Sequence, residues 1–97
     1  ALDTARRNLA AAVAAGVTVA AGTGSGAMLL PHGPAIHREL QLWVEAGVDP
    51  MIAVQGATSR AAAAIGLDSR LGRIREGVEA TLLLLDGDPL ADIKSTE

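Results

Sequence analysis

The sequence predicts an α/β chain on three observations. A breaker-free Ala-rich run is closed by Gly16 and followed at once by a short β-branched segment at residues 17–20, the order of an αβ unit. Two more helical patterns follow, each introduced by a proline (Pro34, Pro50) suited to a helix first turn. A run of four leucines at 82–85 then sits between Thr81 and the turn signal Asp86-Gly87-Asp88-Pro89, as a buried strand would.

Each element has a local reason. Asp3 or Thr4 can cap a first helix over residues 5–15, since twenty of the 97 residues are Ala and Ala has the highest helix propensity. Val17, Thr18 and Val19 favour a strand. Residues 21–34 carry Gly22, Gly24, Gly26, Gly33, Pro31 and Pro34, a loop composition. A second helix is expected over residues 34–46, because Ile36, Leu40, Trp43 and Val44 fall on one face while Arg38, Glu39 and Glu45 lie mostly off it. Asp49-Pro50 starts a third, and a further helical stretch is expected from Thr58 or Ser59 to Ile65, stopping at Gly66, the two being continuous or kinked near Gly56. Residues 71–74 and 80–85 read as short strands, and 91–93 as a little more strand or a helical turn.

Composition excludes several functions. The chain has no Cys, so disulfides, thiol chemistry and Cys-bound zinc are excluded. Its net charge is −3 with eight dispersed basic residues, which argues against nucleic-acid or anionic-membrane partners. No apolar run reaches the ~20 residues a membrane span requires, and no secretory leader pattern is present. The expectation is a soluble, cytoplasmic protein. Trp43 is the sole aromatic residue, so the core is thin and its helical spacing places Trp43 inside it.

Several loop motifs compete. Gly22-Thr23-Gly24-Ser25-Gly26-Ala27 satisfies G-x-G-x-x-A. The Met28-Leu29-Leu30-Pro31 that follows does not open a helix at the glycines, so a plain loop is favoured over phosphate binding. Ser25 lacks the full G-x-S-x-G frame, and its hydroxyl is expected to bond the loop backbone. His32 sits where it can face an active-site mouth, whereas His37 is expected on the solvated side of its helix. Two imidazoles five residues apart do not form a metal-ligand pattern. Asp68, Arg70, Arg73, Arg75 and Glu76 are expected to form surface pairs.

One family pattern runs through nearly the whole chain. Gly16-Val17, Gly22-Thr23, Pro31-His32-Gly33, His37-Arg38-Glu39-Leu40 and Val44-Glu45-Ala46-Gly47-Val48-Asp49-Pro50 stand in order. Ala57-Thr58-Ser59-Arg60, Leu71-Gly72-Arg73-Ile74, Glu76-Gly77 and Leu82-Leu83-Leu84-Leu85-Asp86-Gly87-Asp88-Pro89 continue it. The series resembles the carboxy-terminal part of amidohydrolase-superfamily enzymes, of the prolidase-like and imidazolonepropionase-like kind. The resemblance implies that residues 1–66 end a (β/α)8 TIM-like barrel, with 17–20 as its eighth strand. Residues 67–97 would be strands of a small β-sandwich, both domains being incomplete in this chain.

The resemblance also implies a hydrolase that uses zinc or another divalent metal to split C–N bonds in dipeptide-like or cyclic amide substrates. The family places a metal-binding Asp after Gly-Thr; here that position is Gly24, which has neither ligand nor base, and Thr81 stands where the family usually has Asp. No catalytic or metal-ligating residue is therefore expected in this chain, and no bound metal for it alone. Thr23, Gly24, Ser25 and His32 form the candidate active-site loop. The chain reads as a fragment, inactive alone, with the remainder of the barrel or a second copy as partner. The absence of Met at position 1 fits a cut chain. The alternative is a non-enzymatic α/β module that self-associates or binds another chain.

Overall fold

The computed structural model describes residues 2–26 and 28–97. In chain order these form α1 (Leu2–Ala14), α2 (Pro34–Glu45), α3 (Pro50–Ala57), α4 (Ser59–Ala64) and a 3-10 helix at Ile93–Thr96. Among the described residues there is no β-strand. The α/β expectation, with its barrel end and sandwich strands, is corrected to an all-helical arrangement.

The reason lies in strand pairing rather than in side-chain pattern. A strand exists only where its N–H and C=O groups find a neighbouring backbone. Residues 17–21 make a single bond of that kind to a distant segment, Ala21 N–H to Gly56 O at 2.8 Å. Residues 71–79 make one, Glu79 N–H to Arg70 O at 2.7 Å, and residues 80–85 make none. One isolated bond does not build a ladder, so these segments remain irregular despite their apolar and β-branched residues.

The helices follow their local signals closely. α1 begins earlier than expected, which puts Asp3 inside its first turn rather than at its cap; Ala1 lies outside the described residues. Pro34 stands in the first turn of α2. The helix closes with Gly47 N–H to Val44 O at 2.9 Å and Val48 N–H to Trp43 O at 3.1 Å, the paired bonds of a Schellman motif. Gly47 takes φ +97° there, a conformation open to glycine. Val48, just beyond, is buried. Asp49 caps α3 by accepting from Met51 N–H at 2.8 Å. The break between α3 and α4 falls at Thr58, two residues after Gly56, where φ −126° and ψ −94° leave the helical region. Thr58 Oγ1 donates to Val54 O at 2.7 Å.

The core is small. Leu40 and Trp43 of α2, Val48, Ala53 of α3 and Ile93 of the 3-10 helix form it, flanked by half-buried Leu9, Val13 and Val19. Trp43 is 7% exposed, in the core as its helical spacing predicts. Ile93 closes the cluster from the far end of the chain. The 3-10 helix is held to α2 by His37 Nδ1 and Thr96 Oγ1 at 3.1 Å. Thr96 Oγ1 also donates to Ile93 O. His37 is thus a half-buried tether, not a solvated side chain.

The later segments are poorly covered. Leu83 and Ile74 are 80% and 90% exposed, and Leu84 is fully exposed. Arg70 donates to Glu79 Oε1 from Nη2 at 2.7 Å and from Nε at 3.2 Å. This hydrogen bond, with the Glu79 charge, raises the Arg70 guanidinium further above its ordinary value. No helix among the described residues is long and apolar enough to cross a membrane.

Candidate functional site

The loop between residue 21 and α2 is built outward from the core. Half-buried Val19 and Ala21 pack on the core cluster. Gly56, whose carbonyl receives Ala21 N–H, also leaves room for the indole, because a Cβ there would lie 2.7 Å from Trp43 Cζ3, while Val19 O would be at an ordinary 3.4 Å. The next amide, Gly22 N–H, donates to Glu39 Oε1 of α2 at 3.2 Å. Two consecutive amides are therefore fixed to two different helices just before the loop turns away.

Beyond Gly22 the contacts are local. Thr23 Oγ1 accepts from Ser25 N–H at 3.1 Å, a side-chain turn that Thr commonly forms. Ser25 Oγ and His32 Nδ1 lie 3.4 Å apart. Gly26 N–H donates to Leu30 O at 2.8 Å and closes the bend. The His32 ring lies close over Gly26, where a Cβ would be 3.0 Å from Cε1 and Nε2. Thr23, Ser25 and His32, expected in one loop, are thus brought together. The Ser25 hydroxyl, expected to bond the loop backbone, pairs instead with the His32 ring, and no carboxylate orients His32 among the described residues. The pair therefore lacks the third group of a nucleophilic triad. The phosphate-loop reading also fails to gain a helix at the glycines, since residues 25 and 26 form a turn; Ala27, which completes that pattern, lies outside the described residues.

Gly24 adopts φ +62°, with nothing within 4 Å of an added Cβ. That left-handed conformation is one that Asn and Asp tolerate best after Gly. The position has room for a side chain and carries none. Among the described residues no three His, Asp or Glu side chains converge on a point that could hold a metal ion. The residues present do not fit a metal centre.

Two clefts lie on α2. One, of about 370 Å³, runs between the loop and the start of the helix, lined by Thr23, Leu30, Pro31, Arg38, Glu39 and Leu42. The other, of about 410 Å³, lies against α1 and is lined by Asp3, Arg6, Arg7 and Glu45. Arg6 pairs weakly with Glu45 at 3.5 Å. Glu39 was not distinguishable by sequence from other off-face charges. Its signal is positional, one turn into the helix that follows the loop.

Comparison with known proteins bears on this site. The sequence model of the Amidohydrolase family matches residues 1–97. Ochratoxinases from Aspergillus niger, two of them assigned to named strains, are 42% identical to this chain over 85 residues. The match covers 86% of this chain and 17% of the ochratoxinase sequence, so the chain spans about a sixth of the length of the curated relatives it matches.

Proposed function

The chain belongs to the amidohydrolase family, and from that premise we propose that it is a segment of a metal-dependent hydrolase acting on a carbon–nitrogen bond. The single observation that carries the reading is the family match along all 97 residues. Similarity to ochratoxinase, itself a hydrolase by family, supports it. Dipeptide-like or cyclic amides are the proposed substrates, together with ochratoxin, for which the relative is named.

Within such an enzyme this segment contributes a shaped loop rather than reacting groups. Gly24 brings no ligand or base, so the metal ion and its ligands belong to other parts of the protein. The side chains here orient and enclose. Thr23 fixes the turn, His32 covers Gly26, and the cleft beside Leu30 and Leu42 offers an apolar wall. The 97-residue chain alone is expected to show no turnover of Xaa-Pro dipeptides or ochratoxin with added Zn²⁺ or Mn²⁺. A longer protein carrying this segment is expected to turn over at least one of them. Hydrolysis by the isolated chain would overturn the first expectation, and inertness of the longer protein towards every amide offered would overturn the second.

A second reading is favoured by one specific feature. Residues 80–85 carry exposed Leu82, Leu83 and Leu84 and make no backbone bond to another described segment. An open apolar edge of this kind invites pairing with a second copy. Light scattering on the isolated chain tests it. Self-association that Leu84→Lys abolishes supports the reading, and a stable monomer refutes it.

A further inference from the structure

We infer that Glu39 is a positioning residue that clamps the base of the 23–26 loop through the Gly22 amide. Arg38, the preceding residue on α2, directs Nη1 to Gln41 Oε1 at 3.3 Å and Glu45 Oε1 at 3.5 Å. It is turned along the helix and leaves the Glu39 carboxylate to the loop. Glu39 is half-buried and lines the cleft together with Gly22 and Thr23. Its Oε1 accepts from a backbone amide seventeen residues away. The bond is charge-assisted, and at 3.2 Å with Gly22 exposed it lies at the longer, solvent-accessible end of its class.

The bond sits at a junction. Ala21 N–H is held by Gly56 O, so the preceding peptide belongs to the core. Among the described residues no side chain outside residues 21–33 hydrogen-bonds to the loop other than Glu39. Glu39 therefore determines where the chain leaves the core and in which direction Thr23, Gly24 and Ser25 set out. A displacement of about 1 Å at such a point is enough to lower turnover by about a hundredfold in a preorganised site. The link to turnover rests on the proposed hydrolase reading. The clamp itself rests on geometry alone.

The test has two arms. In the first, exchange of the Gly22 amide is followed in wild type, Glu39→Ala and Glu39→Gln, with far-UV circular dichroism confirming that each variant keeps its helices. Loss of the acceptor is expected to speed Gly22 exchange by about tenfold, while Gln, which keeps a side-chain oxygen, stays within about threefold of wild type. In the second, the longer protein carrying the same substitutions hydrolyses an Xaa-Pro dipeptide with Mn²⁺. Glu39→Ala is expected to lower kcat by about tenfold with KM changed less than about twofold, and Gln is expected to restore most of it. Unchanged Gly22 exchange in Glu39→Ala would overturn the inference, as would faster exchange with unaltered kcat. A Gln variant as impaired as Ala would overturn it too. Should wild type hydrolyse no amide, the hydrolase reading falls and the Gly22 exchange ratio alone decides the clamp.

Discussion

Gly56→Ala isolates the tightest packing contact in the core. In an exposed helix this change stabilises by about 0.5–1 kcal/mol, because Ala loses less backbone freedom on folding. Here the new methyl would lie 2.7 Å from Trp43 Cζ3 and 3.1 Å from Cη2. Trp43 is buried against Leu40, Val48 and Ala53, and a rigid indole has no flexible end to move aside. Overpacking of this kind costs about 1–3 kcal/mol, so the clash outweighs the propensity gain. A net loss of about 1–2 kcal/mol is expected, equivalent to a fall of about 5–10 °C in Tm for a chain of this size. Urea unfolding followed by Trp fluorescence reads it directly, since Trp43 is the sole fluorophore of its kind. The cause is tested by a double-mutant cycle with Trp43→Leu, read by circular dichroism. With the indole gone, Gly56→Ala should become neutral or stabilising. A Gly56→Ala chain as stable as wild type, at unchanged m-value, would refute the packing argument.

Three further outcomes are expected. Ile93→Ala removes the core contact supplied by the 3-10 helix and should lower stability by about 2–4 kcal/mol, seen as an earlier thermal midpoint. Asp49→Ala deletes the cap on Met51 N–H and should destabilise by about 1 kcal/mol, with Asp49→Asn recovering most of it in chemical denaturation. At Gly24, with φ +62° and open space around it, Asn or Asp should lower stability by less than about 1 kcal/mol. Val there should lower it by about 1–2 kcal/mol or more, a difference measurable in the same unfolding assay.

The helices were largely legible because their signals are local. Asp49 and Pro50 begin α3, Pro34 begins α2, and Gly47 closes it. The restart expected at Thr58 or Ser59 is where α4 begins, and the break at Thr58 lies two residues beyond Gly56, the glycine that reads as a breaker. The role of Gly56 is to let Trp43 approach α3, a requirement set by a residue thirteen positions away in sequence. The surface pairs expected among residues 68–76 gave way to Arg70 with Glu79, since the turn after Glu76 brings a later carboxylate closer. At the candidate site, Thr23, Ser25 and His32 were grouped from one loop, whereas Glu39 and the cleft it lines needed the folded chain.

Length and composition bounded this protein from the start. The sequence alone determined its family, the caps of α2 and α3, the burial of Trp43 and the absence of a ligand at Gly24, because each is written in residue identity or in contacts a few residues apart. Tertiary structure alone decided that residues 17–20 and 80–85 form no sheet, that His37 ties the chain's end to α2, and that Glu39 holds the loop. Those outcomes depend on partners distant in sequence. A strand is defined by the neighbour it bonds, and a clamp by the amide it reaches.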